Sequence, residues 1–92
     1  MRNMSALHIS IYGRVWAVGF RNWIKENADN RKLSGWTRNA SDGSVEVFLQ
    51  GDGNLINELL ALCWEGPTIA DVEDVLAQDS SFQELVTSFE IH

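Results

Sequence analysis

Leu7, Ile9 and Ile11 alternate with His8, Ser10 and Tyr12. A period of two puts alternate side chains on opposite faces, so this stretch predicts a half-buried strand ending at Gly13. Residues 14–19 form a short loop. Phe20, Trp23, Ile24 and Ala28 then recur at helical spacing, with Lys25, Glu26 and Asp29 elsewhere, which predicts a helix from Phe20 to Leu33. Gly35 opens a second strand over Trp36–Asn39. Ala40-Ser41-Asp42-Gly43 carries the Asp-Gly pair that a hairpin turn demands. Val45, Val47 and Leu49 alternate with Glu46, Phe48 and Gln50 in a third strand, paired with the second.

Asp52 is placed to cap a second helix, whose apolar stripe is Leu55, Ile56, Leu59, Leu60, Leu62 and Cys63. Gly66-Pro67 stops it. A fourth strand covers about Ile69–Ala77. Its apolar positions, Val72, Val75 and Ala77, break strict alternation and predict a bulge near Glu73-Asp74. Residues 78–83 read as a polar loop, and Thr87, Phe89 and Ile91 as a short last strand. Two successive strand-helix-strand units predict an α+β fold, the ferredoxin-like βαββαβ sandwich. Its antiparallel sheet has four strands plus a short C-terminal strand, covered on one face by two helices. Residues 1–6 read as an N-terminal tail and 7–92 as a single domain.

Composition narrows the choice of partner. The 92 residues carry 7 Lys+Arg and 13 Asp+Glu, a formal net charge of -6, with 45% apolar residues. One small two-layer core is what this length supports. No apolar run approaches the roughly 18 residues of a membrane helix. The acidic balance argues against a nucleic-acid or anionic-membrane surface, but not against a small anion in one local pocket. Cys63 is the single cysteine, so no internal disulfide forms and a reducing cytoplasm is the expected compartment.

The informative segment is Gly13-Arg14-Val15-Trp16-Ala17-Val18-Gly19-Phe20-Arg21, between a strand and a helix start. N–H groups of a first helical turn have no internal partner, and the helix dipole adds positive charge there. Arg21 falls in that turn, where a cation opposes the dipole. Bidentate capture of a phosphate would give a reason, and a surface Arg beside a tight turn is the plainer alternative. A second segment is Gly35-Trp36-Thr37-Arg38-Asn39-Ala40-Ser41-Asp42-Gly43-Ser44-Val45-Glu46. On its own, Asn39 reads as turn chemistry.

Together the two segments resemble the signatures of the acylphosphatase family, Gly-Arg-Val-Gln-Gly-Val-x-Phe-Arg and Gly-Trp-x-x-Asn-x-x-Asp-Gly-Ser-Val-Glu. The resemblance extends over about residues 7–91. It implies the same sandwich and hydrolysis of the carboxyl–phosphate bond of acyl phosphates to carboxylate and inorganic phosphate. It implies Arg21 as the phosphate-binding arginine and Asn39 as the residue orienting the attacking water. The backbone of Arg14, Val15, Trp16, Ala17 and Val18 would cradle the phosphate. No metal or other cofactor is implied, and a monomer acting on a small molecule is expected.

Trp16 stands where the family signature has Gln, and Ala17 where it has Gly. If position 17 has φ > 0, Ala17 costs on the order of 1 kcal/mol and tilts the cradle. If φ is negative, Ala17 is harmless. A strained cradle would suit an alternative, an anion-binding or regulatory module without full activity on the same fold. Other residues read as structural. His8 and His92 show no metal-ligand spacing with Cys63. Trp23, Trp36 and Trp64 read as core or edge packing. Glu65, Asp71, Glu73 and Asp74 read as a solvated face. One Phe and one Glu on the third strand do not make an RNA platform.

Overall fold

The computed structural model describes residues 3–92. The elements are β1 (Met4–Arg14), α1 (Phe20–Asn30), β2 (Ser34–Asn39), β3 (Val45–Asp52), α2 (Gly53–Cys63), β4 (Asp71–Asp79) and β5 (Phe89–Ile91). They form one sheet in the order β4-β1-β3-β2-β5. The first four strands pair antiparallel, and β5 adds to the β2 edge in parallel. This is the ferredoxin-like sandwich that the periodicity predicts, with both helices on one face.

The core lies between the helices and the sheet. Ile9 and Ile11 of β1, and Val45, Val47 and Leu49 of β3, are fully buried. Ile24 and Ala28 of α1 and Ile56, Leu59 and Cys63 of α2 close over them. Each of the Ile, Val and Leu side chains among them contributes about 1.5–3 kcal/mol on leaving water, before the entropy of ordering is counted. The register Ile9↔Val47 and Ile11↔Val45 sets apolar positions opposite each other, so a slip of one residue would turn the whole set toward water.

Element ends move for physical reasons. β1 starts at Met4, because β3 runs on to Asp52 and its ladder takes up Met4–Ala6. Residues 4–6 of the expected tail are therefore sheet, while residues 1 and 2 lie outside the described residues. α1 ends at Asn30 rather than Leu33. Lys32 turns left-handed (φ 55), its N–H donates to the Asp29 carbonyl, and the Leu33 N–H donates to the Ala28 carbonyl. That pair of bonds is a Schellman motif, and it returns Leu33 to the core on what looks like helical spacing. Asp52 caps α2 as its position predicts, accepting from the N–H groups of Asn54 and Leu55. The expected bulge is present as well. Tyr12 pairs with Asp74 and Gly13 with Val72, which leaves Glu73 over. Trp64 departs from the packing expectation: it caps α2 and is 51% exposed.

The face away from the helices is partly covered by residues 80–88, which cross from the β4 edge to the β2 edge. Gln50 holds this strap. Its side chain is 1% exposed, donates to the carbonyls of Gln83 and Val86, and accepts from the Gln83 N–H. On the same face Glu46 sits between His8 Nε2 and Arg38 Nε, and Arg38 lies over the Trp36 ring. Burial pushes the Glu46 carboxyl up, but its hydrogen bonds with His8 and Arg38 outweigh that and hold it below the ordinary glutamate value.

Gln50→Leu keeps the volume and removes three hydrogen bonds, so urea unfolding should lose about 1–3 kcal/mol of stability. Amide exchange at Gln83 should quicken with it. An unchanged Gln83 amide would mean that Gln50 does not hold the strap. For Glu46 the folded pKa lies below the unfolded one. Its stabilisation is therefore present above the ordinary carboxylate range and fades as pH falls through it. The stability difference between wild type and Glu46→Gln should close below about pH 4. A gap that persisted in acid would assign it to packing instead.

Candidate active site

The site grows from the way β1 is turned into α1. Gly13 has φ 125, and a Cβ there would lie 2.3 Å from the Asp71 carbonyl oxygen, so the end of β1 meets β4 too closely for any side chain. Val15 buries its side chain and donates its N–H back to the Gly13 carbonyl at 3.0 Å. The chain then passes Ala17 at φ 58 and Gly19 at φ 77 before α1 starts. Of the two possibilities for residue 17, the strained one holds.

Gly19 is the N-cap of α1 and offers no side chain to it, and the first turn holds no acid. Among the described residues, no backbone carbonyl accepts from the N–H groups of residues 16–19. The strand-to-helix corner is thus lined with unspent donors at the positive end of a helix dipole. Arg21 stands in that turn. One of its terminal nitrogens donates to the His92 carbonyl at 3.0 Å, which leaves most of its five N–H donors free.

Asn39 is the last residue of β2. It does not build the turn that follows. Asp42 does so, by accepting from the N–H and Oγ of Ser44 at 3.0 and 2.6 Å. The Ser44 hydroxyl and N–H hold the Asp42 carboxyl below its ordinary value. The Ala40 N–H donates to the Ser44 carbonyl and closes the hairpin. The Asn39 side chain has no hydrogen-bond partner among the described residues.

Arg21 and Asn39 share one hollow of 230 Å³. The loop contributes Val15, Ala17 and Gly19 to its wall, and α1 contributes Phe20, Arg21 and Asn22. Ile91 of β5 closes the far side. Three expected residues do not line it. Arg14 is still in the β1 ladder opposite Asp71, Val18 packs against the core, and the Trp16 indole reaches to the Ser44 carbonyl at 3.0 Å. Asn22 and Ile91 were not anticipated. Asn22 stands beside Arg21 in the first turn and could have been suspected on that ground. Ile91 arrives only because β5 joins the β2 edge. A larger hollow of 590 Å³ lies between the C-terminal end of α1 and α2, but neither sequence segment reaches it. Cys63 is no rival centre, since burial pushes its thiol up to about 12.

Comparison with known proteins places the chain in a family. The acylphosphatase family model matches residues 7–91. An acylphosphatase of Acidiphilium cryptum is 44% identical over 73 residues, covering 79% of this chain and 80% of the relative. One from Rhizobium meliloti is 38% identical over 90 residues, covering 98% and 95%. Among solved structures, an acylphosphatase from Coxiella burnetii superposes with a TM-score of 0.93 at 30% identity, covering 98% of this chain and 94% of that one. The match runs through both signature segments and nearly every element that positions them: this chain belongs to the acylphosphatase family.

Proposed function

We propose that the chain hydrolyses the carboxyl–phosphate bond of acyl phosphates, with Arg21 and the free backbone N–H groups of residues 16–19 holding the phosphate and Asn39 orienting the water. The observation that carries this reading is the single hollow with the Arg21 guanidinium on one wall and the unpartnered Asn39 amide on another. Both groups come from one chain, so a monomer suffices. The buried, solitary Cys63 suits a reducing compartment, the cytoplasm.

The chemistry asks little more. Negative charge on the phosphoryl oxygens is met by the guanidinium and by preorganised main-chain donors. Val15 already spends its N–H on Gly13, so the free donors of the loop begin at Trp16. The Asn39 carbonyl oxygen can accept from a water while its NH₂ donates elsewhere, which fixes the water's direction. A carboxylate leaves readily and needs no proton from the protein. Balance is simple: the water oxygen bonds to phosphorus as the phosphorus–carboxyl oxygen bond breaks, one water proton stays on that oxygen, and the other passes to a phosphate oxygen or to solvent.

Ala17 bears on efficiency. A non-glycine residue at φ 58 costs on the order of 1 kcal/mol, and the loop keeps it there. That strain is the observation favouring a second reading, a module that binds phosphate through the same loop with little turnover.

Benzoyl phosphate hydrolysis, followed with a chelator present, tests the proposal. Asn39→Ala should lower kcat by about 10²–10³ with KM nearly unchanged. Arg21→Ala should lower kcat comparably and raise KM. Undiminished hydrolysis by Arg21→Ala would remove the guanidinium from the mechanism. Phosphate binding at residues 14–21 without turnover in the wild type would favour the module. Ala17→Gly should raise the unfolding free energy by about 1 kcal/mol at constant m-value, read from the urea midpoint. A loss of stability instead would show that the left-handed turn is not strained by the methyl group.

A further inference from the structure

We infer that Trp16 is a positioning residue that locks the phosphate loop to the hairpin carrying Asn39. The inference rests on the roles proposed above for the loop and for Asn39. Trp16 lies between Val15 and Ala17, both on the wall of the hollow. Its side chain leaves that wall and crosses to the β2–β3 hairpin, where Nε1 donates to the Ser44 carbonyl at 3.0 Å. The acceptor is the same oxygen that receives the Ala40 N–H at 2.9 Å and closes the turn next to Asn39. Ser44 is itself held by Asp42 through two hydrogen bonds and is buried. The indole, itself 43% exposed, therefore joins two segments 28 residues apart.

Three physical features give that bond consequence. An indole N–H only donates and turns about two side-chain torsions, so it defines one direction with little freedom to lose. Residue 17 keeps an unfavourable backbone conformation, and such a conformation persists only where its surroundings over-determine it. Burial of Val15 holds the loop on one side, and the indole bond holds it on the other. Finally, transfer to water depends on the separation between the bound phosphorus and the water, and these are assigned to different segments. A small relative shift of loop and hairpin leaves phosphate binding nearly intact but misplaces the water. One of the two residues that depart from the family signature is thus itself part of the site's alignment.

Trp16→Phe keeps a ring on the loop and deletes the donor. Benzoyl phosphate turnover should fall about three- to tenfold in kcat, as expected for one neutral hydrogen bond. The inhibition constant of inorganic phosphate should stay within about twofold, since the loop donors and Arg21 remain. Amide NMR with inorganic phosphate supplies a readout independent of turnover. In the wild type, titration should move the amides of Ala40 and Ser44 together with those of residues 16–19. In Trp16→Phe the hairpin amides should stop responding while the loop amides still do. The Trp16 indole N–H should also exchange more slowly than that of Trp64, which caps α2 in the open. Full turnover by Trp16→Phe, or hairpin amides that follow phosphate equally in both proteins, would overturn the inference. Wild-type phosphate binding without hydrolysis would end the hydrolase proposal alone, and the titration would still decide the linkage. A wild-type chain with no phosphate response would end both.

Discussion

Every other contact in the molecule leans on the ladder between β1 and β3. These strands occupy the interior of the sheet, and their inward side chains form the floor on which both helices rest. The pairing is long range in sequence, so its closure entropy is high and is offset only when α1 and α2 complete the burial. Helix packing and strand register are therefore one cooperative choice. A shifted register would expose Ile9, Ile11, Val45 and Val47 together.

The site inherits its geometry from this ladder. β1 passes β4 closely at Gly13 and ends one residue later, and α1 begins with Phe20 already in the core. The few residues between them cannot pair with a strand or a helix. Their N–H groups are left turned outward at a helix start, which is costly without a partner and useful with an anionic one. Arg21 in the same turn opposes the dipole, and an anion that attracts both offsets that repulsion. Asn39 is delivered from the other side by β2, whose hairpin is closed by Asp42 and so leaves the Asn39 amide unspent. Local strain at Ala17 and unspent donors around it belong to a region that the core holds firmly enough to tolerate both.

The opposite face of the sheet shows how a small domain manages a layer with no helix on it. Gln50 pins the strap of residues 80–88, and the Glu46 carboxylate is shared between His8 and Arg38 beside the stacked rings of Trp36, Phe48 and His92. The strap has a second effect. It carries the chain to the far edge, where β5 pairs with β2, Ile91 reaches the hollow and the His92 carbonyl accepts from Arg21. A covering device on one face thus helps to complete the site at the end of the sheet.

Much of this was legible along the chain. Period-two and helical spacing, with the turn signals, placed all seven elements within a few residues, and the Asp-Gly turn, the Asp52 cap and the bulge at Glu73 followed from local chemistry. The two signature segments single out Arg21 and Asn39. Local signals have short reach, and that explains what they missed. Leu33 mimics helical spacing because a Schellman turn brings it back to the core, and Met4–Ala6 become strand only because β3 extends to meet them. The sign of φ at residue 17, the destination of the Trp16 indole and the arrival of Ile91 depend on segments tens of residues away. Sequence by itself determined which groups exist and on what kind of element each stands. Tertiary structure alone decided which of them meet, because the packing that joins them is set by the whole core at once.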